Sequence, residues 1–184
     1  MHIKPLLAIA VFAVVFPLSL AMLGGPAESQ FFSRPCGGPP DPPVGLPGFP
    51  PRLDESCVEI RGIDGKCLDA AGGSSADGTP VILWPCHGGS NQRWKVLPNG
   101  TVLGINGKCL DALGGRSENG TPVIIWTCHG GDNQRWEITD NHQLLGIGNQ
   151  CLDASGFGLA NGAPIILWAC HGGANQRWDA RFAQ

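Results

Sequence analysis

One fifteen-residue stretch is written three times in this chain. PVILWPCHGGSNQRW at 80–94 returns as PVIIWTCHGGDNQRW at 122–136 and as PIILWACHGGANQRW at 164–178, an offset of 42 residues both times with no gap. A shorter companion, Cys-Leu-Asp-Ala, recurs at the same offset from Cys67, Cys109 and Cys151. Residues 57–182 are therefore three copies of one unit. A repeat of this length is a single supersecondary unit used several times, so the fold has to be read from the unit.

Each unit holds four short strand-like runs, which in the first copy are 58–63, 66–70, 80–86 and 91–97. Gly, Asn, Asp and Ser punctuate them, as in Ile63-Asp64-Gly65 and His87-Gly88-Gly89. No stretch carries a long apolar pattern of helical period, so helix is not expected. Four strands in each of three units predict twelve, an all-β chain. One unit cannot bury its own apolar face, so the three must close on a common core.

The net charge is −3, only 15% of residues are charged and there is no basic run, which excludes binding through the phosphate backbone of a nucleic acid. Eight cysteines, 28 glycines and 16 prolines suit a loop-rich, cross-linked extracellular protein. The N-terminus agrees. His2 and Lys4 precede an apolar run, and Ser19-Leu20-Ala21 supplies the small residues of a cleavage site. This is the plan of a secretory signal peptide over 1–21, with a second possible cut after Ala27. An uncleaved anchor competes, because the run to Leu23 is nearly long enough to span a bilayer. Pro17 and the small residues favour cleavage, which leaves no stable membrane span. Residues 28–55 are dominated by Pro and Gly and read as an extended linker of polyproline character. The folded domain is expected over 56–184.

The units resemble the ricin B-type lectin repeat of the β-trefoil fold, which includes the family 13 carbohydrate-binding modules. The resemblance rests on the Cys-Leu-Asp turn, then Leu-Trp-x-Cys (Ile-Trp-x-Cys in the second copy), then Gln-x-Trp near the end of the repeat, and it covers residues 57–182. It implies a β-trefoil and a secreted, non-catalytic sugar-binding protein with up to three sites.

Cys67 and Cys86 are 19 apart, as are Cys109 and Cys128, and Cys151 and Cys170. Eight cysteines leave the pairing open by count, but threefold repetition makes the same bond within each unit the economical choice, and the resemblance implies it as well. Each such bond closes a short loop and contributes about 2 to 4 kcal/mol by constraining the unfolded chain. Cys36 and Cys57 have no counterparts in the repeats and most simply pair with each other. A Cys/His metal site is the rival, since His87, His129 and His171 follow the second cysteines. Zinc sites show two close ligand pairs, and this spacing does not. No metal and no cofactor is expected.

Two tryptophans per unit divide the work. Trp94, Trp136 and Trp178, flanked by alternating polar and apolar residues, read as core pins. Trp84, Trp126 and Trp168 occupy, by the resemblance, the position that stacks on a sugar. An aromatic face complements the apolar C–H face of a pyranose, and the indole N–H adds a polar handle; packing in the core is the alternative. Asp69, Asp111 and Asp153 offer acceptors to adjacent sugar hydroxyls, or else cap a turn. Asn91, Asn133 and Asn175 present both donor and acceptor. In resembling lectins this Asp, the aromatic and this Asn form the pocket, with Gln92, Gln134 and Gln176 bracing the aspartate.

There are two departures from the family pattern. Many relatives carry Gln two residues before the stacking aromatic, where this chain has Ile82, Ile124 and Ile166, so one hydrogen bond is gone. His87, His129 and His171 stand where some family 13 modules place a histidine beside the sugar; a solvent-facing loop residue is the alternative. The sugar class, galactose-type or xylan-type, on an oligosaccharide, polysaccharide or glycoprotein, stays open. Asn99 and Asn119 begin N-glycosylation sequons. Two other functions compete: a trefoil that binds protein, such as a secreted protease inhibitor, and a small glycan-active enzyme. The first typically presents one distinctive loop, whereas these loops are near copies. The second needs two opposed carboxylates, and only the pocket aspartate repeats.

Overall fold

The computed structural model describes Cys36, residues 57–158 and residues 160–182. The expected signal peptide at 1–21, the alternative cut after 27 and the linker at 28–55, Cys36 apart, lie outside the described residues. Within the described residues no helix is long and apolar enough to cross a membrane.

Twelve strands follow one another, four to a repeat. The first repeat holds β1 (Val58–Arg61), β2 (Cys67–Ala70), β3 (Thr79–Trp84) and β4 (Lys95–Val96). The second holds β5 (Val102–Leu103), β6 (Cys109–Ala112), β7 (Val123–Trp126) and β8 (Glu137–Ile138). The third holds β9 (Leu144–Leu145), β10 (Cys151–Ala154), β11 (Ala163–Trp168) and β12 (Asp179–Phe182). The all-β chain of twelve strands expected from the repeats, and the pseudo-threefold β-trefoil that the resemblance implies, are the architecture observed.

Closure of the fold is visible in the pairing. β1 runs antiparallel to β12, Val58 opposite Phe182 and Arg61 opposite Asp179, which ties the first repeat to the last. Elsewhere the repeats join through β4 with β5 and β8 with β9. The hairpins β2–β3, β6–β7 and β10–β11 meet at the threefold axis. There Gly78 donates its N–H to the Ile125 carbonyl, Gly120 to Leu167 and Gly162 to Leu83, at 3.0, 2.8 and 2.9 Å. Each repeat thus borrows a backbone acceptor from another, so no unit is complete by itself.

Inside this frame Leu68, Leu83, Leu110, Ile125, Leu152 and Leu167 are buried together with Trp94, Trp136 and Trp178. Each of these tryptophans donates its indole N–H to the carbonyl of the leucine in its own Cys-Leu-Asp strand: Trp94 to Leu68 at 2.9 Å, Trp136 to Leu110 at 3.0 Å, Trp178 to Leu152 at 2.9 Å. A buried indole needs such a partner, and the bond fixes the ring against the core.

Two strand expectations need correcting. The run at 91–97 is strand only at Lys95–Val96, because Ser90–Gln92 is a 3-10 turn. The run at 58–63 ends at Arg61, because Ile63–Gly65 is another 3-10 turn with Asp64 at φ 57°. Nine such turns occur among the described residues. They are too short to show any helical period in the sequence.

Candidate functional site

β3 alternates strictly on its inner face: Thr79, Val81 and Leu83 point into the core, and Pro80 and Trp84 point out. Period-two geometry therefore places Ile82 on the outer face with Trp84. Across the hairpin Asp69 stands opposite Ile82 and Cys67 opposite Trp84. Directly paired residues share a face, so aspartate, isoleucine and tryptophan are delivered to one side by register alone. The same register puts Asp111 opposite Ile124 and Asp153 opposite Ile166.

Disulfides Cys67–Cys86, Cys109–Cys128 and Cys151–Cys170 then clamp the base of each hairpin, with Cα atoms 5.1 Å apart in all three. Cys36 pairs with Cys57. The sulfurs a Cys/His metal site would need are thereby used. Beyond the second cysteine, the His-Gly-Gly loop and the 3-10 turn fold back over the aspartate.

Asparagine, glutamine and histidine converge on that carboxylate. Gln92 Nε2 donates to Asp69 Oδ2 at 2.7 Å and to the Pro85 carbonyl at 3.0 Å, while Gln92 Oε1 accepts from His87 N at 2.7 Å. Gln134 and Gln176 repeat the pattern, reaching Asp111 Oδ2 at 2.7 Å and Asp153 Oδ2 at 2.8 Å. The glutamines are braces, as expected. The aspartates are only 2 to 4% exposed, and such burial demands donors on the carboxylate.

The histidines are half-exposed, but they do not simply face solvent. His87 Nε2 lies 3.4 Å from Asp69 Oδ2, and the same 3.4 Å separates His129 from Asp111 and His171 from Asp153. Each Nδ1 accepts a backbone N–H two residues on, from Gly89, Gly131 and Gly173 at 3.2, 3.2 and 3.1 Å. An accepting Nδ1 leaves the proton of the neutral ring on Nε2, pointed at the carboxylate. The imidazole is the roof of the aspartate.

The asparagines are turned inward more than the sequence suggested. Asn133 Nδ2 donates to Asp111 Oδ1 at 2.9 Å and Asn175 Nδ2 to Asp153 Oδ2 at 2.9 Å, whereas Asn91 Nδ2 reaches only the Ala70 carbonyl, at 3.2 Å. Asn175 Oδ1 is buried with no hydrogen-bond partner among the described residues.

Against this polar floor stands the outer tryptophan. Trp84, Trp126 and Trp168 are each 40% exposed, the same value in all three repeats. In the second repeat the tryptophan and this floor frame a cleft of about 400 Å³ lined by Asp111, Ile124, Trp126, His129, Asn133 and the Leu113-Gly114-Gly115 turn. The structure thus brings together all five residue types singled out per repeat. Ile82 and Ile166 are partly buried and Ile124 fully, each flooring its site between aspartate and indole.

Sequence reasoning missed two contributors. One is the wall turn after Cys-Leu-Asp-Ala. The other is the second glycine of His-Gly-Gly. A Cβ at Gly89 would stand 2.6 Å from His87 Cε1 and 2.7 Å from Asn91 Oδ1, and Gly131 and Gly173 are as tight. Their φ values, −66°, −68° and −63°, are ordinary, so it is close approach that requires glycine here. Strict recurrence of Gly-Gly in all three loops was the available signal. Asn99 and Asn119, the sequon asparagines, are exposed, and Asn119 Oδ1 accepts from Ala169 N at 2.8 Å.

Residues 56–178 match the family described as "Ricin-type beta-trefoil lectin domain". The designed threefold-symmetric protein ThreeFoil is 30% identical at a TM-score of 0.64, over 68% of this chain and 97% of its own. A non-toxic homologue of type II RIPs from Momordica charantia (bitter gourd), in complex with α-methyl-D-galactoside, is 27% identical at a TM-score of 0.61, over 68% of this chain and 47% of its own. The ribosome-inactivating protein PMRIPt of Polygonatum multiflorum is 40% identical over 50 residues, 27% of this chain and 8% of that protein. This chain therefore spans only part of the two plant proteins it is similar to.

Proposed function

The chain belongs to the ricin-type β-trefoil lectin domain family, and on that premise we propose that it is a secreted, non-catalytic lectin with three sugar sites, one in each repeat. The observation that carries this reading is the threefold recurrence of an outer tryptophan at 40% exposure beside a braced, nearly buried aspartate. A large apolar ring left open to water at the same level in every repeat is unfavourable unless something covers it.

The mechanism is stacking plus polar selection. The pyranose lays its C–H face on Trp84, Trp126 or Trp168. Its hydroxyls meet the polar edge formed by His87, His129 or His171, by the carboxylate of Asp69, Asp111 or Asp153, and by Asn91, Asn133 or Asn175. Ile82, Ile124 and Ile166 supply an apolar floor without a hydrogen bond. Gln92, Gln134 and Gln176 keep the carboxylate in place before any sugar arrives, which lowers the ordering cost of binding. Three sites on one rigid body gain avidity on clustered glycans without new contacts.

Galactose-type sugars are the favoured class, supported by the α-methyl-D-galactoside complex of the bitter gourd protein. The non-catalytic reading is supported by the cleft lining, in which Asp111 is the one acid where glycoside hydrolysis employs two. Secretion is supported by the N-terminal apolar run and by four disulfides.

The test is a glycan array that includes galactosides, xylans and glycoproteins, read with the mature oxidised protein and with a Trp84→Ala, Trp126→Ala, Trp168→Ala variant. Binding by the parent and its loss in a still-folded variant are expected. A blank array for the parent would sink the lectin reading and put a protein-binding trefoil first, to be assayed as a protease inhibitor.

A further inference from the structure

The threefold likeness fails in the wall turn beside the sites, and most sharply at one position. Positions 73 and 115 are glycine, and the third repeat has Phe157 there. Gly115 belongs to the wall of the second cleft. All three residues share the left-handed backbone, with φ of 68°, 68° and 63°. A Cβ placed on Gly73 or Gly115 meets nothing within 4 Å, so that direction is open space at the cleft's edge. In the third repeat a phenyl ring fills that direction and is 66% exposed.

Two unfavourable effects fall on this one residue. A bulky side chain at positive φ is a backbone outlier, and such strain gathers at ligand clamps and functional loops. An aromatic ring left mostly in water also forgoes the gain of burial. The equivalent glycines of the other two repeats carry neither cost, so the fold does not require phenylalanine here.

We propose that Phe157 gives the third site a second aromatic platform, so that this site takes a linear oligosaccharide, one pyranose on Trp168 and the next ring of the same glycan on Phe157. The inference rests on the carbohydrate reading above. Both faces offered are aromatic, and successive pyranoses present successive C–H faces to them. The first two sites, open at Gly73 and Gly115, take a single terminal residue. One chain then holds two terminal-sugar sites and one extended site.

Trp84→Ala with Trp126→Ala in the full chain isolates the third site. That protein and its Phe157→Gly counterpart are compared on an array of galactose-, N-acetylgalactosamine- and xylose-based mono- to tetrasaccharides. Phe157→Gly is expected to lose about two- to tenfold of the signal for di- and longer saccharides while leaving the monosaccharide signal unchanged. Its melting temperature is expected to stay level or rise, since glycine relieves the positive φ. An unchanged ratio of oligosaccharide to monosaccharide signal overturns the proposal, whether both persist or both fall. Binding by the unaltered chain that vanishes in the isolated third site overturns it too. No binding by the unaltered chain on any glycan removes the lectin reading itself, and this proposal with it.

Discussion

The ring of Trp178 lies directly on the α-carbon of Gly62, so close that a Cβ there would stand 2.6 Å from Cζ3 and 3.0 Å from Cε3. The last tryptophan of the chain thus rests on a glycine next to the first strand. Trp94 on Gly104 and Trp136 on Gly146 are the same contact one repeat on, at 2.6 and 2.8 Å. Each repeat's buried indole is seated by the beginning of another repeat, and the Gly62 contact closes the ring.

Gly62→Ala is accordingly expected to destabilise the fold by about 1 to 3 kcal/mol, the range for overpacking a tight core. Trp178 cannot retreat easily, because its N–H is held by the Leu152 carbonyl at 2.9 Å. Urea unfolding reads this as a lower midpoint at unchanged slope. A midpoint equal to that of the parent would show that the ring can shift freely.

Alanine at Gly89, Gly131 and Gly173 together should separate binding from stability. The new methyl groups would press on His87, His129 and His171 and on the amide oxygens of Asn91, Asn133 and Asn175, all at 2.6 to 2.8 Å. The backbone there is unstrained for alanine. Glycan affinity should fall about tenfold per site, the worth of one good hydrogen bond or so, with little change in melting temperature. Comparable losses of both would make these glycines structural only.

Gln134→Leu removes the 2.7 Å donor to Asp111 Oδ2 and the 2.8 Å acceptor of His129 N in one step. Leaving a buried carboxylate and an amide short of a partner should cost about 1 to 3 kcal/mol each. Chemical denaturation measures the total. Weaker sugar binding confined to the second site, seen in a chain with the other two sites silenced, would mark the brace as a positioning residue.

Asp77 carries an acid-dependent link between repeats. It accepts from Lys108 Nζ at 2.8 Å and from Thr127 N at 2.7 Å. The Lys108 bond, with support from Thr127, holds its carboxyl below the ordinary value of 3.8. A depressed carboxylate stabilises fully above the unfolded value and loses that contribution as pH falls through the lowered one. Asp77→Asn should therefore be slightly less stable than the parent at neutral pH and equal to it once the parent's Asp77 is protonated in both the folded and the unfolded chain. Asparagine is tolerable here, since Asn119 makes the equivalent bond to Ala169 N at 2.8 Å. Thermal unfolding from pH 7 down to pH 2 gives the comparison; a constant gap across that range would show that the charge plays no part.

Much was written in the chain itself. The 42-residue offset determined three like units, and the resemblance put Trp84 at the outer position, whereas the unbroken apolar run 81–84 left its face to be decided by the strand pairing. Repetition of Cys67 and Cys86 made one disulfide within each unit the economical choice, the leftover Cys36 and Cys57 made the simplest fourth pair, and all four bonds are formed. Repetition and the family resemblance carried these features, because a recurring unit repeats its partners. What only the tertiary structure decided are distances across folded-back segments: that His87 roofs Asp69, that Asn133 turns its amide onto Asp111, that Gly89 must lack a Cβ. Asn91 and Asp69 are far apart in sequence, and which atoms they present to each other depends on the path of the His-Gly-Gly loop and on side-chain torsions set by packing. Symmetry itself yields to the same local chemistry. Thr127 and Ala169 each give an N–H to the preceding repeat, while Pro85, at the third junction, has none to give.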